Sequence, residues 1–137
     1  MQHQLKFRQL PGTYAIVRFA PDASIPAWAS LANVSKGEFI SITRTADELS
    51  IVCPTENLPP DVHSSHRWTC LKLEGPFPFE LTGVLLSFIQ PLSSSGIPIF
   101  AISTFDTDYV LVQEEFTRAT LDALQRAGHK AAPGTTA

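Results

Sequence analysis

Apolar and polar side chains alternate from Gln4 to Gln9 and again from Thr13 to Phe19, with Leu5 and Phe7, then Tyr14 and Ile16, on one side. A period of two predicts strands, and Pro11-Gly12 between them supplies turn geometry, so a hairpin is expected. Asp22 to Asn33 holds Pro26 and a sparse apolar set (Ile25, Trp28, Leu31), which fits a short helix capped by Ser24. Glu38 to Thr43 and Glu48 to Cys53 are β-branched and apolar around Arg44-Thr45-Ala46-Asp47 and predict a second hairpin. The proline-bearing stretch from Pro54 to Arg67 reads as a loop, after which Trp68 to Leu73 resumes strand character.

The period then changes. Leu81, Val84, Leu85, Phe88, Ile89 and Leu92 recur at helical spacing, predicting an amphipathic helix over Phe79 to Ser95 with its last turn kinked by Pro91 and its end at Gly96. Ile97 to Phe105 and Asp108 to Val112 form a further apolar hairpin. Glu114 to Ala127 predicts a second helix with Phe116, Ala119, Leu121 and Leu124 inward and Gly128 just past its end. Lys130 to Ala137 reads as a disordered tail.

A shift of 60 positions aligns Phe39–Cys53 with Ile99–Gln113 without a gap, pairing Thr43 with Ser103 and Glu48 with Asp108. Alternation alone would align any two hairpins. Here each hairpin also follows a strand and a helix, so strand-helix-strand-strand occurs twice and a duplication is expected.

Composition narrows the function classes. In 137 residues, 44% are hydrophobic and 17% charged, enough apolar side chain for one cooperative body. A formal net charge of −3 gives no electrostatic pull toward phosphate backbones or anionic lipid, so neither nucleic acid nor membrane is expected as a partner. Met1 to Leu10 lacks the apolar run of a secretory signal or span. Cys53 and Cys70 sit within apolar strand-like runs, which fits reduced, buried thiols and a cytoplasmic protein, and Asn33-Val34-Ser35 is a chance sequon in that setting. His63, His66 and Cys70 lack the ligand count and spacing of a zinc site. No glycine-rich phosphate loop, nucleophile elbow or helical His-Glu pair is present, so no cofactor, metal or enzymatic activity is expected.

Two motifs carry a family resemblance. Pro76-Phe77-Pro78-Phe79-Glu80-Leu81-Thr82-Gly83-Val84, followed by Ser103-Thr104-Phe105-Asp106-Thr107-Asp108-Tyr109-Val110-Leu111-Val112, resembles the ACT-domain family. The likeness is to the tandem ACT-like group that includes the aspartate kinase regulatory region and the cytosolic arginine sensor CASTOR, and it covers about Leu10 to His129. It implies an α+β fold of two ferredoxin-like βαββαβ modules with antiparallel sheets: residues 1–66, with short helices, then residues 67–129, with 130–137 as the tail. It also implies small metabolites, amino acids above all, bound at junctions between modules or subunits. The final helix has no predicted strand after it, and Gln4 to Gln9 is the segment that could take that place.

Carried over by position, the resemblance implies a ligand site at Phe79, Leu81, Thr82 and Gly83, at Gly96 and Ile97, and at Thr104, Phe105 and Asp108. Leu81 stands where the sensor's motif has an acidic residue. This chain also has one tandem pair where the sensor has two, which implies a homodimer. The residues themselves supply a rationale. The helix start has no Ser, Thr, Asp or Asn cap, so its first amides are suited to an anion, and Gly83 allows close approach. Asp108 opens an otherwise apolar strand and would meet a cationic group, or else it caps turn amides together with Asp106. The expected function is non-enzymatic binding of a small regulatory ligand, with an amino acid first. The alternative is a protein-interaction adaptor docking through an exposed Phe77 and Phe79.

Overall fold

The computed structural model describes residues 3–30, 37–75, 77 and 82–133. The chain divides into two compact units, one made of Met1–Leu10 with Thr69–Ala137 and the other of Pro11–Trp68. The opening residues therefore belong with the C-terminal half rather than with a module spanning 1–66.

In the discontinuous unit, strand β1 (Lys6–Gln9) pairs antiparallel with strand β5 (Trp68–Leu73), setting Phe7 against Leu73 and Gln9 against Leu71. The predicted hairpin of 4–9 with 13–19 does not form. Alternation fixes which face of a strand is apolar but leaves its partner open. Leu5 and Phe7 join a core with Leu71, Leu73, Phe88, Leu92, Val110 and Leu124. On its other side β5 pairs with β7 (Asp108–Gln113), which pairs antiparallel with β6 (Phe100–Ser103). Helix α1 (Val84–Ser94) follows β5 and helix α2 (Thr117–Arg126) follows β7.

β1 thus lies beside β5, where the closing strand of a βαββαβ unit belongs. Lys130–Ala131, expected in a disordered tail, form strand β8 parallel to β1. Lys130 N donates to Leu5 O at 2.8 Å and Ala132 N to Phe7 O at 2.7 Å. Two-residue pairing suffices because β1 offers an open row of carbonyls.

α1 begins at Val84, five residues later than predicted, with Gly83 as its N-cap (φ 78°) rather than inside the first turn; Phe79 and Leu81 lie outside the described residues. Its end is the predicted one. Gly96 (φ 74°) takes the left-handed conformation, and Ile97 N donates back to Leu92 O at 3.0 Å with Ile97 buried, a glycine stop sealed by an apolar contact. Gly128 (φ 92°) ends α2 in the same way, with His129 N donating to Leu124 O at 3.0 Å. α2 follows a 3-10 turn at Glu114–Phe116. Its inward face holds Thr120, Ala123 and Leu124, while Ala119, predicted inward, is exposed.

Pro91 is tolerated inside α1 for a reason the sequence does not display. Proline has no N–H for the carbonyl four residues back, which here is Ser87 O. His129 Nε2 makes that bond instead, at 2.9 Å. Leu5 N donates to Nδ1 of the same ring at 3.0 Å, so Nδ1 is bare and the proton sits on Nε2. The imidazole is 4% exposed and packs on Phe88, with ring centroids 5.4 Å apart.

Thr120 Oγ1 is buried and has no hydrogen-bond partner among the described residues. A buried hydroxyl without a partner is costly. Thr120→Val, which keeps the shape, is expected to raise stability by about 1 kcal/mol, read as a higher urea midpoint with an unchanged slope; a lower midpoint would contradict this account.

The continuous unit holds strands β2 (Tyr14–Phe19), β3 (Ser41–Arg44) and β4 (Leu49–Pro54), with β4 central and antiparallel to both neighbours. Val17, Leu49, Ile51 and Cys53 form its core with Ala29. In place of the predicted helix over 22–33 there is a 3-10 turn at Ala27–Ala29, and another at Thr55–Asn57. Pro26 and the short apolar set cannot support more. No α-helix occurs in this unit among the described residues.

Both cysteines are free and buried. Burial pushes the Cys53 thiol up to about 11 and the Cys70 thiol higher still, so both stay protonated and unreactive at neutral pH. Among the described residues no helix is long and apolar enough to cross a membrane.

Candidate functional site

The two hairpins are structural equivalents at a shift of 59, one residue from the gap-free alignment. β3 and β4 match β6 and β7 in bounds and register, since 41–44 and 49–54 become 100–103 and 108–113, and the 3-10 turns at 55–57 and 114–116 follow suit. Thr45 N donates to Glu48 O at 2.9 Å in one turn, and Thr104 N to Thr107 O at 2.8 Å in the other. Each threonine hydroxyl also accepts a turn amide: Thr45 Oγ1 from Asp47 and Glu48, Thr104 Oγ1 from Thr107. Asp108 therefore corresponds to Leu49, not to Glu48.

That turn faces the start of α1 in the discontinuous unit, across a cleft of about 380 Å³. One wall is Gly83, Val84, Leu85 and Leu86, and the other is Ser103 to Asp108, with Phe77 also lining it. The turn is held close to β5. Thr107 Oγ1, buried, donates to Leu73 O at 2.7 Å, and Phe77 N donates to Asp106 O at 3.1 Å. A Cβ on Gly75 would meet Asp106 O at 2.9 Å, too close for any larger residue without moving the turn.

The helix end supplies donors. Gly83 O accepts Ser87 N at 2.9 Å, closing the first turn, and no side chain caps it. The amides of Val84, Leu85 and Leu86 have no acceptor among the described residues, and they carry the positive end of the helix dipole. His3 buttresses this turn from outside, with its N donating to Ser87 Oγ at 2.9 Å and its Nε2 to Thr82 O at 2.9 Å.

The opposite wall supplies negative charge. Asp106 and Asp108 line the cleft, and among the described residues no Lys, Arg or His does. Asp108 is half-buried and accepts a hydrogen bond from Ser103 Oγ on one carboxylate oxygen. The turn amide of Thr107 is capped by Thr104 Oγ1. Phe105 and Leu86, 79% and 59% exposed, stand on either wall.

Of the residues expected at the site, Gly83, Thr104, Phe105 and Asp108 therefore meet in one cleft. Thr82 sits beside it, with its carbonyl engaged by His3. Gly96 and Ile97 terminate α1 at its other end, about 16 Å away along an 11-residue helix. Phe77 is half-buried and packed on the core, not the exposed docking side chain of the adaptor reading. Sequence reasoning missed Ser103 and the Asp106 wall; the only signal was their place in the Ser-Thr-Phe-Asp-Thr-Asp run.

Residues 63–126 match the family model of the ACT domain. That segment of the chain is ACT-like. A second model, described as an N-terminal domain, matches residues 12–61, so the ACT match and this one meet near the boundary between the two units. The crystal structure of protein Atu0741 from Agobacterium tumefaciens is 46% identical, covers 95% of this chain and 93% of its own, and superposes with a TM-score of 0.84. The two chains belong to one family. VC0802 from Vibrio cholerae (21% identical, 95% and 91% covered, TM-score 0.72) and the aspartokinase alpha and beta subunits (16%, 93% and 98%, TM-score 0.53) share the fold. The human protein CASTOR3P is 31% identical over 97 residues, which are 61% of this chain and 60% of that protein.

Not all residues of this cleft recur at the matching positions of the other hairpin. In the continuous unit the counterparts of Asp108, Phe105 and Ser103 are Leu49, Ala46 and Arg44, and Leu49 is fully buried. Arg44 donates to the carbonyls of Pro21 and Ala23, so the chain's own loop occupies that guanidinium.

Proposed function

We propose that this chain is a non-enzymatic regulatory protein that binds a small zwitterion, an amino acid, in the cleft between α1 and the β6–β7 turn. The observation that carries the reading is the juxtaposition of uncapped helix amides with the Asp108 carboxylate across one small cleft. A ligand carboxylate gains from the amides and dipole, its ammonium gains a charge-assisted hydrogen bond to Asp108, and Gly83 keeps the approach open. The ACT match and the likeness to CASTOR3P support a regulatory role of this kind. We place its action in the cytoplasm, in keeping with the protonated, unpaired thiols. We also propose a homodimer, in which Gly96 and Ile97 would serve the cleft of a second copy; sedimentation equilibrium showing only monomer would remove that element.

The test is a thermal-shift screen of the twenty amino acids. Ligand at a hundred times its Kd stabilises by about 2.7 kcal/mol, a rise of several degrees in Tm. At least one amino acid should produce it, and its methyl ester, lacking the carboxylate, should not. Silence across all twenty would sink the reading in favour of an adaptor that docks a partner protein through Phe105 and Leu86.

A further inference from the structure

We infer that the amino acid taken by this cleft carries an uncharged, apolar side chain, and that Leu86 and Phe105 are the residues that choose it. The inference rests on the zwitterion reading and adds what the two ends of the cleft leave unsaid. With the ligand's carboxylate on the α1 amides and its ammonium on Asp108, the side chain is the remaining part of the molecule and meets the rest of the lining. That lining is Phe77, Val84, Leu85, Leu86 and Phe105, with Asp106 and with Ser103, Thr104 and Thr107, whose hydroxyls are already bonded within the protein.

Three observations decide the class. Leu86 and Phe105 are 59% and 79% exposed although large and apolar, and a side chain laid between them removes that surface from water. Acidic side chains are refused, because Asp106 and Asp108 are both present and no basic residue among the described residues lines the cleft to offset them. A basic side chain gains little, because Asp106 is solvent-exposed and a solvated carboxylate attracts weakly. The apolar walls of Leu86 and Phe105 therefore outweigh the one charge left over. The repeat agrees: in the continuous unit the position of Phe105 is Ala46 and that of Asp108 is Leu49, so the selecting side chain and the ammonium partner are absent together.

The test is isothermal titration of the full chain with alanine, norleucine, lysine and glutamate. Norleucine and lysine share a straight carbon chain and differ in terminal charge. Norleucine should bind about thirtyfold tighter than alanine, since it adds three methylenes and each one removed from water contributes roughly threefold; lysine should bind more weakly than norleucine, and glutamate weakest. Phe105→Ala and Leu86→Ala, both at exposed positions that leave the fold intact, should bring the norleucine-to-alanine ratio down toward one. Lysine binding as tightly as norleucine overturns the inference, as does alanine matching norleucine, and in both cases the zwitterion reading stands. Failure of all four to bind overturns both.

Discussion

His129→Ala is expected to lower stability by about 4 kcal/mol and Tm by roughly 10–15 °C. The imidazole is buried, and both of its nitrogens are used, by Leu5 N and by Ser87 O. Removing it strands a buried donor on β1 and a buried acceptor on α1, each costing about 1–3 kcal/mol, and leaves a cavity against Phe88. His129→Phe fills the space and should recover only the cavity part. Because Pro91 is why Ser87 O needs a donor from outside the helix, the two positions should couple. In a Pro91→Ala background residue 91 regains its N–H, and the cost of losing His129 should shrink by about 1 kcal/mol. Urea denaturation of the four proteins measures this. Additive effects would mean that the histidine does not substitute for the missing helix bond.

Asp108→Asn is expected to weaken amino-acid binding about a hundredfold, with stability unchanged to within about 0.5 kcal/mol. The substitution keeps the shape and an oxygen for Ser103 Oγ but removes the only charge we assign to the ligand's ammonium. A charge-assisted bond in a half-buried site contributes about 2–3 kcal/mol, which gives the factor. Titration with whichever amino acid most stabilises the wild type reads it directly. A Kd within threefold of wild type would remove Asp108 from the site and, with it, the reason to expect a zwitterion.

Much of this arrangement is visible in the sequence because it rests on local chemistry. Strand β5, the end of α1 at Gly96 and the β6–β7 turn follow from periodicity and glycine, and the carboxylate at Asp108 is conspicuous in an apolar strand. What escaped notice depends on distant partners. Leu5 and Phe7 alternate equally well whether they face Tyr14 or Leu73, so only the core could choose. A one-residue shift between the hairpins leaves the apolar pattern nearly as good, and only the threonine-headed turns reveal the true register. His129 follows a helix-ending glycine like any surface residue, and its use becomes clear only beside Pro91.

The early position of β1 affects how the protein comes into being. On the ribosome, Lys6–Gln9 emerges well before its partners, Leu71–Leu73 at mid-chain and Lys130–Ala131 later still. Residues 11–68 can close their own three-stranded sheet while β1 waits, unpaired, for β5 to be made. Nascent chains stalled before residue 75 should therefore leave Leu5 and Phe7 available to chaperones. Substitutions at Leu5 and Phe7 should reduce yield in cells more than they reduce the melting temperature of the finished molecule.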